Sequence, residues 1–184
     1  MEPVVCERRI EPPIRIDDIP AMEAQAAWCL QQHRVSHVTS LLSLDGRLLL
    51  CVFEAPDAES VRTVHRQVGA PFEHLWTATI HTPPTVPADA SLATTHGTLI
   101  VVERCFAEPT DFMTIQAIED RGSWCLDQHR VRFVRSYFAT DRRRMICLYT
   151  APDAESARLA QVQAGVPHAG VWAAALYEAR TQQG

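Results

Sequence analysis

Four chemically active side chains occur in the sequence and recur at matching positions further along. Glu7 stands in an apolar segment, Cys29 and His33 are four residues apart, and Cys51 lies in another apolar segment. Their counterparts are Glu103, Cys125, His129 and Cys147. A thiol and an imidazole four residues apart on a helix project from one face, and these ligand types suit nickel, zinc or copper rather than magnesium or calcium. The eight residues are therefore candidate metal ligands.

The same residues also have structural interpretations, which the sequence leaves open. Cys29 and Cys51 are small enough to be ordinary core residues. His33 stands where a helix should end, and the helix dipole favours an imidazolium there. A Glu that interrupts an apolar strand must be paired or functional if it is buried, so it is also a candidate general base with a His as its proton partner. In an enzyme, the residues with these catalytic roles would be Glu7, Glu103, His33 and His129.

The composition excludes several classes of function. The 184 residues carry a net charge of −5, so the chain lacks the basic character that nucleic-acid binding requires. All 17 basic residues are Arg, and the absence of Lys excludes Schiff-base chemistry. The 7 Gly residues occur singly, which leaves no glycine-rich loop for a nucleotide cofactor. With neither a membrane span nor a secretory signal in the sequence, we expect a cytoplasmic protein whose 6 cysteines are reduced.

The sequence is a tandem duplication. A shift of 96 residues aligns residues 4–79 with 100–175 without a gap, and the longest identical stretch, residues 55–60, recurs at 151–156. A segment rich in Pro, Thr and Ala separates the copies, as is typical of an extended linker. We therefore predict a first repeat over residues 1–80, a linker over 81–98 and a second repeat over 99–184.

Each repeat shows the same order of predicted elements. In the first, apolar runs predict strands over residues 4–9, 35–44, 47–54 and 75–80. Apolar residues at helical spacing from Ile19 to His33 predict one helix, and Pro56-Asp57 opens a second that ends near Gly69. The order βαββαβ is that of the ferredoxin-like unit, an antiparallel sheet with both helices on one face.

The third strand of each repeat is a continuous apolar run, which indicates burial on both faces of the sheet. The predicted fold class is therefore α+β: two ferredoxin-like βαββαβ repeats packed as an internal pseudo-dimer, similar to a dimeric α/β barrel. A further homodimer is left open.

Recurrence also guides the interpretation of the aromatic residues and histidines. All 4 Trp residues recur in pairs, Trp28 with Trp124 and Trp76 with Trp172, and we expect them to be packing anchors. Because the first repeat keeps more histidines than the second, we expect at most one strong metal site, in the first repeat. The histidines that occur in one copy only are expected at the surface, and they are His37, His65, His74, His81, His96 and His168.

Three motifs carry a resemblance to a known family. They are the Val-Val-x-Glu-Arg strand, the strand that contains Ser40 or Ser136, and the Cys-x-Tyr-Thr-Ala-Pro-Asp-Ala-Glu-Ser segment that begins at Cys147. Both repeats resemble the small bacterial ferredoxin-like domain known as a nickel-binding protein, whose members dimerise as separate chains. The resemblance implies a fused dimer of ferredoxin-like domains, with nickel as the candidate ligand.

The match to the family pattern is incomplete at one position. Members typically carry a His just before the serine of the second strand, and this chain has Thr39 and Arg135 there. The residues that do match the pattern are Glu7, Glu103, Cys51 and Cys147.

Three functions remain open on the sequence alone. The first is a small soluble protein that binds nickel or a similar soft divalent ion through the eight candidate ligands. The second is a cofactor-independent enzyme of monooxygenase, isomerase or cyclase type, with a pocket between sheet and helices. The third is an interaction module without chemistry. In the first two the partner is a metal ion or a small molecule, not nucleic acid or a membrane.

Overall fold

The first repeat forms the predicted βαββαβ unit. A computed structural model describes residues 1–179 of the chain. The strands of the first repeat pair antiparallel in the order β4–β1–β3–β2. Helices α1 and α2 pack against one face of this sheet, as in a ferredoxin-like unit. The elements are β1 (Glu2–Arg9), α1 (Ile19–Gln32), β2 (Ser36–Ser43), β3 (Leu48–Ala55), α2 (Ala58–Gln67) and β4 (His74–His81).

Local sequence signals place the ends of these elements. The Asp57 carboxylate accepts a hydrogen bond from the Ser60 backbone N–H at 2.7 Å, so it caps the start of α2. Gly69 follows α2 with a φ of +67°, a conformation that glycine adopts without strain. Gly46, with a φ of +74°, turns the hairpin between β2 and β3.

The second repeat contains the same elements with one division. Its strands pair antiparallel in the order β8–β5–β7–β6. In both repeats the third strand is buried along most of its length, which confirms the prediction from its continuous apolar run. The elements are β5 (Thr98–Cys105), α3 (Phe112–Arg121), α4 (Ser123–Gln128), β6 (Arg132–Ala139), β7 (Arg144–Ala151), α5 (Ala154–Ala164) and β8 (Gly170–Glu178).

The first helix of the second repeat is divided at Gly122, where the first repeat has Ala26. A Cβ atom built on Gly122 would lie 2.4 Å from the Cβ of Ala164, at the end of α5. The glycine therefore permits a close approach of α5 that a larger residue would prevent. The sequence predicted one continuous helix here, and this detail was wrong.

The chain forms two compact units that do not follow the repeat bounds at every point. Among the described residues, the first unit comprises Met1–Ala78 and residues 175–179, and the second comprises Thr79–Ala174. Tyr177 packs against the core of the first unit, and its carbonyl oxygen accepts a hydrogen bond from Thr39 Oγ1 at 2.9 Å. Along the described residues, no helix is long and apolar enough to cross a membrane.

Candidate functional site

A row of three polar or thiol side chains crosses the sheet of the first unit. Cys51 on β3 stands opposite Cys6 on β1 and opposite Ser40 on β2 in the strand register. Residues opposite one another on neighbouring strands project from the same face. Ser40 Oγ and Cys51 Sγ are 3.0 Å apart, within hydrogen-bond distance. All three residues are buried beneath the helices.

A β-bulge brings a histidine to this row. The register of β2 against β3 shifts between His37 and Thr39, so one extra residue stands in β2. His37 Nε2 is 2.8 Å from Ser40 Oγ, and His37 Nδ1 is 3.5 Å from Glu23 Oε2. Tyr177 donates its hydroxyl proton to the same Glu23 oxygen at 2.6 Å. A carboxylate, an imidazole and a hydroxyl thus follow one another in a chain of polar contacts.

A second histidine reaches the row from α2. His65 Nδ1 lies 3.0 Å from the Val61 carbonyl oxygen, and His65 Nε2 lies 3.4 Å from Cys6 Sγ. A carbonyl oxygen can only accept, so Nδ1 carries the proton in the neutral ring and Nε2 presents its lone pair to the thiol. This is the orientation in which a histidine can accept a proton or ligate a metal.

Burial sets the protonation of the two histidines and the two thiols. Desolvation lowers the pKa of His37 and that of His65, so both imidazoles are neutral at neutral pH. Burial also raises the pKa of the Cys6 and Cys51 thiols, which stay protonated. The site therefore combines two imidazole lone pairs with two thiols whose protons must leave before the sulfur atoms can act as thiolates.

His37, Cys51 and His65 line a cavity of about 70 Å³ in the first unit. This volume exceeds the space that a single water molecule needs. Apolar residues of the sheet and both helices complete its wall. The polar and thiol side chains that line it are Arg8, Glu23, His37, Ser40, Cys51 and His65.

The equivalent place in the second unit is filled by an ion pair. Arg104 Nη2 donates to Glu119 Oε1 at 2.9 Å, to Gln161 Oε1 at 2.8 Å and to the Tyr149 hydroxyl at 3.1 Å. The Arg104 side chain is fully buried, and the space beside this network is too small for a water molecule. Phe133 and Gln161 stand where the first unit has His37 and His65. The combination of an open cavity with histidines is thus a feature of the first unit.

The residues singled out in the sequence lie in separate surroundings. Glu7 accepts a hydrogen bond from Trp76 Nε1 at 2.7 Å, and Glu103 accepts one from Trp172 Nε1 at the same distance. Cys51 lines the first-unit cavity. Burial raises the pKa of the Cys147 thiol, although the neighbouring Arg104 charge acts to lower it.

In each repeat, a glutamine side-chain oxygen lies within hydrogen-bond distance of the histidine of the predicted Cys–His pair. Cys29 donates to Gln67 Oε1 at 2.9 Å, and His33 Nε2 lies 3.2 Å from the same oxygen. In the second unit His129 Nε2 lies 2.9 Å from Gln163 Oε1, and Cys125 is buried nearby on α4. Within residues 1–179, no three His, Cys, Asp or Glu side chains already converge on one point as metal ligands.

Two expectations about individual residues were wrong. His65 and His37 were both expected at the surface, but His65 is 5% exposed on the buried face of α2 with Val61, and the His37 side chain on β2 is 5% exposed. Trp28 and Trp124, expected to be packing anchors, are 58% and 61% exposed. The sequence does contain a signal for His65, since Val61, His65 and Val68 follow the spacing of a buried helix face.

The solved structures that resemble the chain show its fold. Chlorite dismutase from Candidatus Nitrospira defluvii in complex with imidazole is 10% identical, with a TM-score of 0.53 over 95% of this chain and 91% of that chain. A heme-binding protein from Thermus thermophilus is 6% identical, with a TM-score of 0.50 over 96% and 91%. These likenesses confirm the predicted fold class, a dimeric α/β-barrel-like fold of two ferredoxin-like repeats.

Sequence comparison identifies the family. None of the curated proteins compared with the chain matches it. The family model described as nickel responsive protein SCO4226-like matches twice, over residues 5–77 and 101–173, and so confirms the tandem duplication. The chain therefore belongs to the SCO4226-like family of nickel-responsive proteins and carries the family's domain in two copies.

Proposed function

We propose that the chain is a metal-binding protein that takes one soft divalent ion, nickel or a chemically similar metal, at the first-unit cavity. The observation that carries the proposal is the grouping of one thiol and two imidazoles around one cavity, with a second thiol 3.4 Å from one of these imidazoles. These donors are Cys6, Cys51, His37 and His65, and membership of a nickel-responsive family supports the same conclusion.

The donor chemistry fits such an ion, since nickel, zinc and copper bind thiolate and imidazole. Both histidines are held neutral by burial, and each presents Nε2 to a hydroxyl or a thiol. Metal binding would replace the Cys6–His65 and Ser40–Cys51 hydrogen bonds with metal–ligand bonds, so the side chains must reorient within the cavity. The bound ion would supply positive charge that stabilises the thiolates, and their protons would be released on binding.

The second unit is unsuited to the same ion. Of the four donor positions it keeps only Cys147, because Val102, Phe133 and Gln161 replace the others. The Arg104 guanidinium lies against this thiol and would repel a cation in a buried, poorly screened setting. We therefore expect one equivalent of metal per chain.

The haem of the structural neighbour is not proposed for the first-unit cavity. Sites for cofactors and drug-sized ligands have volumes of roughly 300–1,000 Å³. A cavity of about 70 Å³ suits an ion with its ligands or a very small molecule.

The metal proposal is tested by titrating the untagged chain with Ni²⁺, Zn²⁺ and Cu²⁺ and measuring bound metal by elemental analysis. Two double variants separate the candidate sites. H37F/H65Q introduces the residues that the second repeat has at these positions, and H33A/H129A removes the histidines at the two helix ends. We expect about one equivalent in the wild type and in H33A/H129A, and a loss of at least tenfold in affinity in H37F/H65Q.

Two other results would contradict this location of the metal site. Metal lost only in H33A/H129A would move the site to the Cys29–His33 and Cys125–His129 pairs. No uptake by the wild type would overturn the metal-binding function.

A second candidate function follows from the polar chain Glu23–His37–Ser40. Neutral His37 can accept the Ser40 proton at Nε2 while the Glu23 carboxylate stabilises the ring at Nδ1, which is the arrangement of an activated nucleophile. A fluorophosphonate probe tests it: Ser40 Oγ would form a bond to phosphorus, fluoride would leave, and the serine proton would pass to His37. An adduct detected by intact mass in the wild type and absent from S40A and H37F supports a nucleophilic serine. An unmodified wild type excludes this role.

A further inference from the structure

A second cavity lies in the second unit, between the segment that joins the repeats and strand β6. Its volume is about 190 Å³. Val86, Ser91 and Thr94 are exposed residues of its wall, so the cavity is accessible from solvent. Most of the lining is apolar, and the residues that provide it include Pro83, Val86, Ala90, Leu92, Phe133 and Val134.

Arg135 is the charged residue of this wall. It is only 5% exposed, and its Nη2 donates to the Ala90 carbonyl oxygen at 2.6 Å. Its Nε–H is buried without a hydrogen-bond partner among the described residues. Within residues 1–179 no carboxylate lies within ion-pair distance of this guanidinium. A buried charge without a counter-ion is costly, so an anion would stabilise this arrangement.

The other buried arginine shows what Arg135 lacks. Arg104 also has a buried Nε–H without a partner among the described residues, but its charge is balanced by Glu119 at 2.9 Å. Arg135 instead faces a cavity. The first repeat has Thr39 at the equivalent position, and Thr39 Oγ1 donates to the Tyr177 carbonyl oxygen. The buried cation therefore belongs to the second repeat and has no equivalent in the first. The segment that joins the repeats covers it, and the Ala90 carbonyl of that segment accepts its hydrogen bond.

We propose that this cavity is a binding site for a small monocarboxylate with an apolar body. The carboxylate would balance the guanidinium charge and, once the guanidinium turns its buried Nε–H toward the cavity, accept a hydrogen bond from it. The apolar body would contact Val86, Leu92 and Phe133, which a heavily hydrated dianion such as phosphate would not. The site is independent of the metal site proposed above, because the two lie in different units and share no residue.

Isothermal titration of the untagged full chain with benzoate tests this proposal, with benzamide as the neutral analogue of the same shape. We expect one benzoate site per chain and no detectable binding of benzamide. R135M removes the charge while keeping most of the side-chain volume, and it should weaken benzoate binding at least tenfold. R132Q, which removes an exposed arginine from the same strand, should bind benzoate as the wild type does.

Two controls keep the result decisive. R135M loses the hydrogen bond to the Ala90 carbonyl oxygen but also removes a buried charge without a counter-ion, so it should retain a cooperative thermal transition, which shows that lost binding is not lost folding. R135K, which keeps the charge without the Nε donor, should bind benzoate more weakly than the wild type and more tightly than R135M. Equal affinity of R135M and the wild type for benzoate, or no binding by the wild type, would overturn the proposal.

Discussion

Arg104 and Glu119 form a buried ion pair with an N–O distance of 2.9 Å, at the positions where Arg8 and Glu23 border the cavity of the first unit. The two repeats thus use equivalent residues in opposite ways. In the second unit the guanidinium and carboxylate fill the space between sheet and helices. In the first unit the same residue types leave that space open, and histidines face it.

Breaking this ion pair should destabilise the protein strongly. Glu119→Gln leaves the buried Arg104 charge without its carboxylate, which typically costs about 3–5 kcal/mol when one partner of a buried pair is removed. Urea denaturation measures the change in the free energy of unfolding. Glu155→Gln is the matched control, because its partner Arg158 is exposed, and we expect no measurable change there. Equal effects of the two substitutions would contradict a structural role for the buried pair.

The two buried histidines should make stability depend on pH. Burial lowers the pKa of His37 and His65 from the ordinary value of 6.5, so the unfolded chain takes up protons at a higher pH than the folded chain does. Their contribution to stability is complete above about pH 6.5 and is lost as the pH falls below it.

H37F/H65Q should therefore lose less stability than the wild type between pH 7.5 and pH 5.5. The comparison uses urea midpoints of the two proteins at both pH values, which cancels the titration of the other histidines. A parallel loss in both proteins would show that these two groups do not titrate differently on unfolding.

Glu7 should act mainly as a hydrogen-bond acceptor for a buried tryptophan. Glu7→Ala leaves Trp76 Nε1–H without this acceptor, and an unsatisfied buried donor typically costs about 1–3 kcal/mol. Tryptophan fluorescence during urea unfolding measures the effect, and Glu2→Ala, an exposed position on the same strand, is the control. Bound nickel should be unchanged in Glu7→Ala. Loss of bound nickel in this variant would indicate that Glu7 is a metal ligand.

Gly122 should be required for the close packing of α5. In Gly122→Ala the new Cβ meets the Cβ of Ala164 at 2.4 Å, and overpacking of this kind typically costs about 1–3 kcal/mol. Adding Ala164→Gly removes the atom it meets, so the double variant should recover part of the loss. Thermal unfolding of the three proteins tests this. A double variant no more stable than Gly122→Ala would contradict the steric explanation.

Much of the fold could be predicted from the sequence because its patterns are local and occur twice. The apolar positions from Ile19 to His33 give the length of α1, and the Asp57 cap and Gly69 mark the two ends of α2. The division at Gly122 could not be predicted, because a glycine within a helical pattern is often tolerated. Its effect depends on Ala164, which lies 42 residues later in the chain.

The first-unit site could be predicted only in part. Cys51 was a candidate from its recurrence, and the first repeat was favoured for its histidines. His37 and Ser40 are three residues apart, a spacing that places side chains on opposite faces of a regular strand. The bulge before Thr39 adds a residue and places both on one face, and no turn residue or change of composition marks it. Cys6 was not considered because Val102 replaces it in the second copy.

The place of Tyr177 in the first unit has a consequence for synthesis. Its ring stacks against His37 at a centroid distance of 5.7 Å, and its hydroxyl binds Glu23. The ribosome adds this residue only after the whole of the second unit has been made. A nascent chain that has emerged as far as β4 therefore lacks one side chain of the His37 environment. The metal binding proposed for the first unit should accordingly appear late in translation, when β8 has emerged.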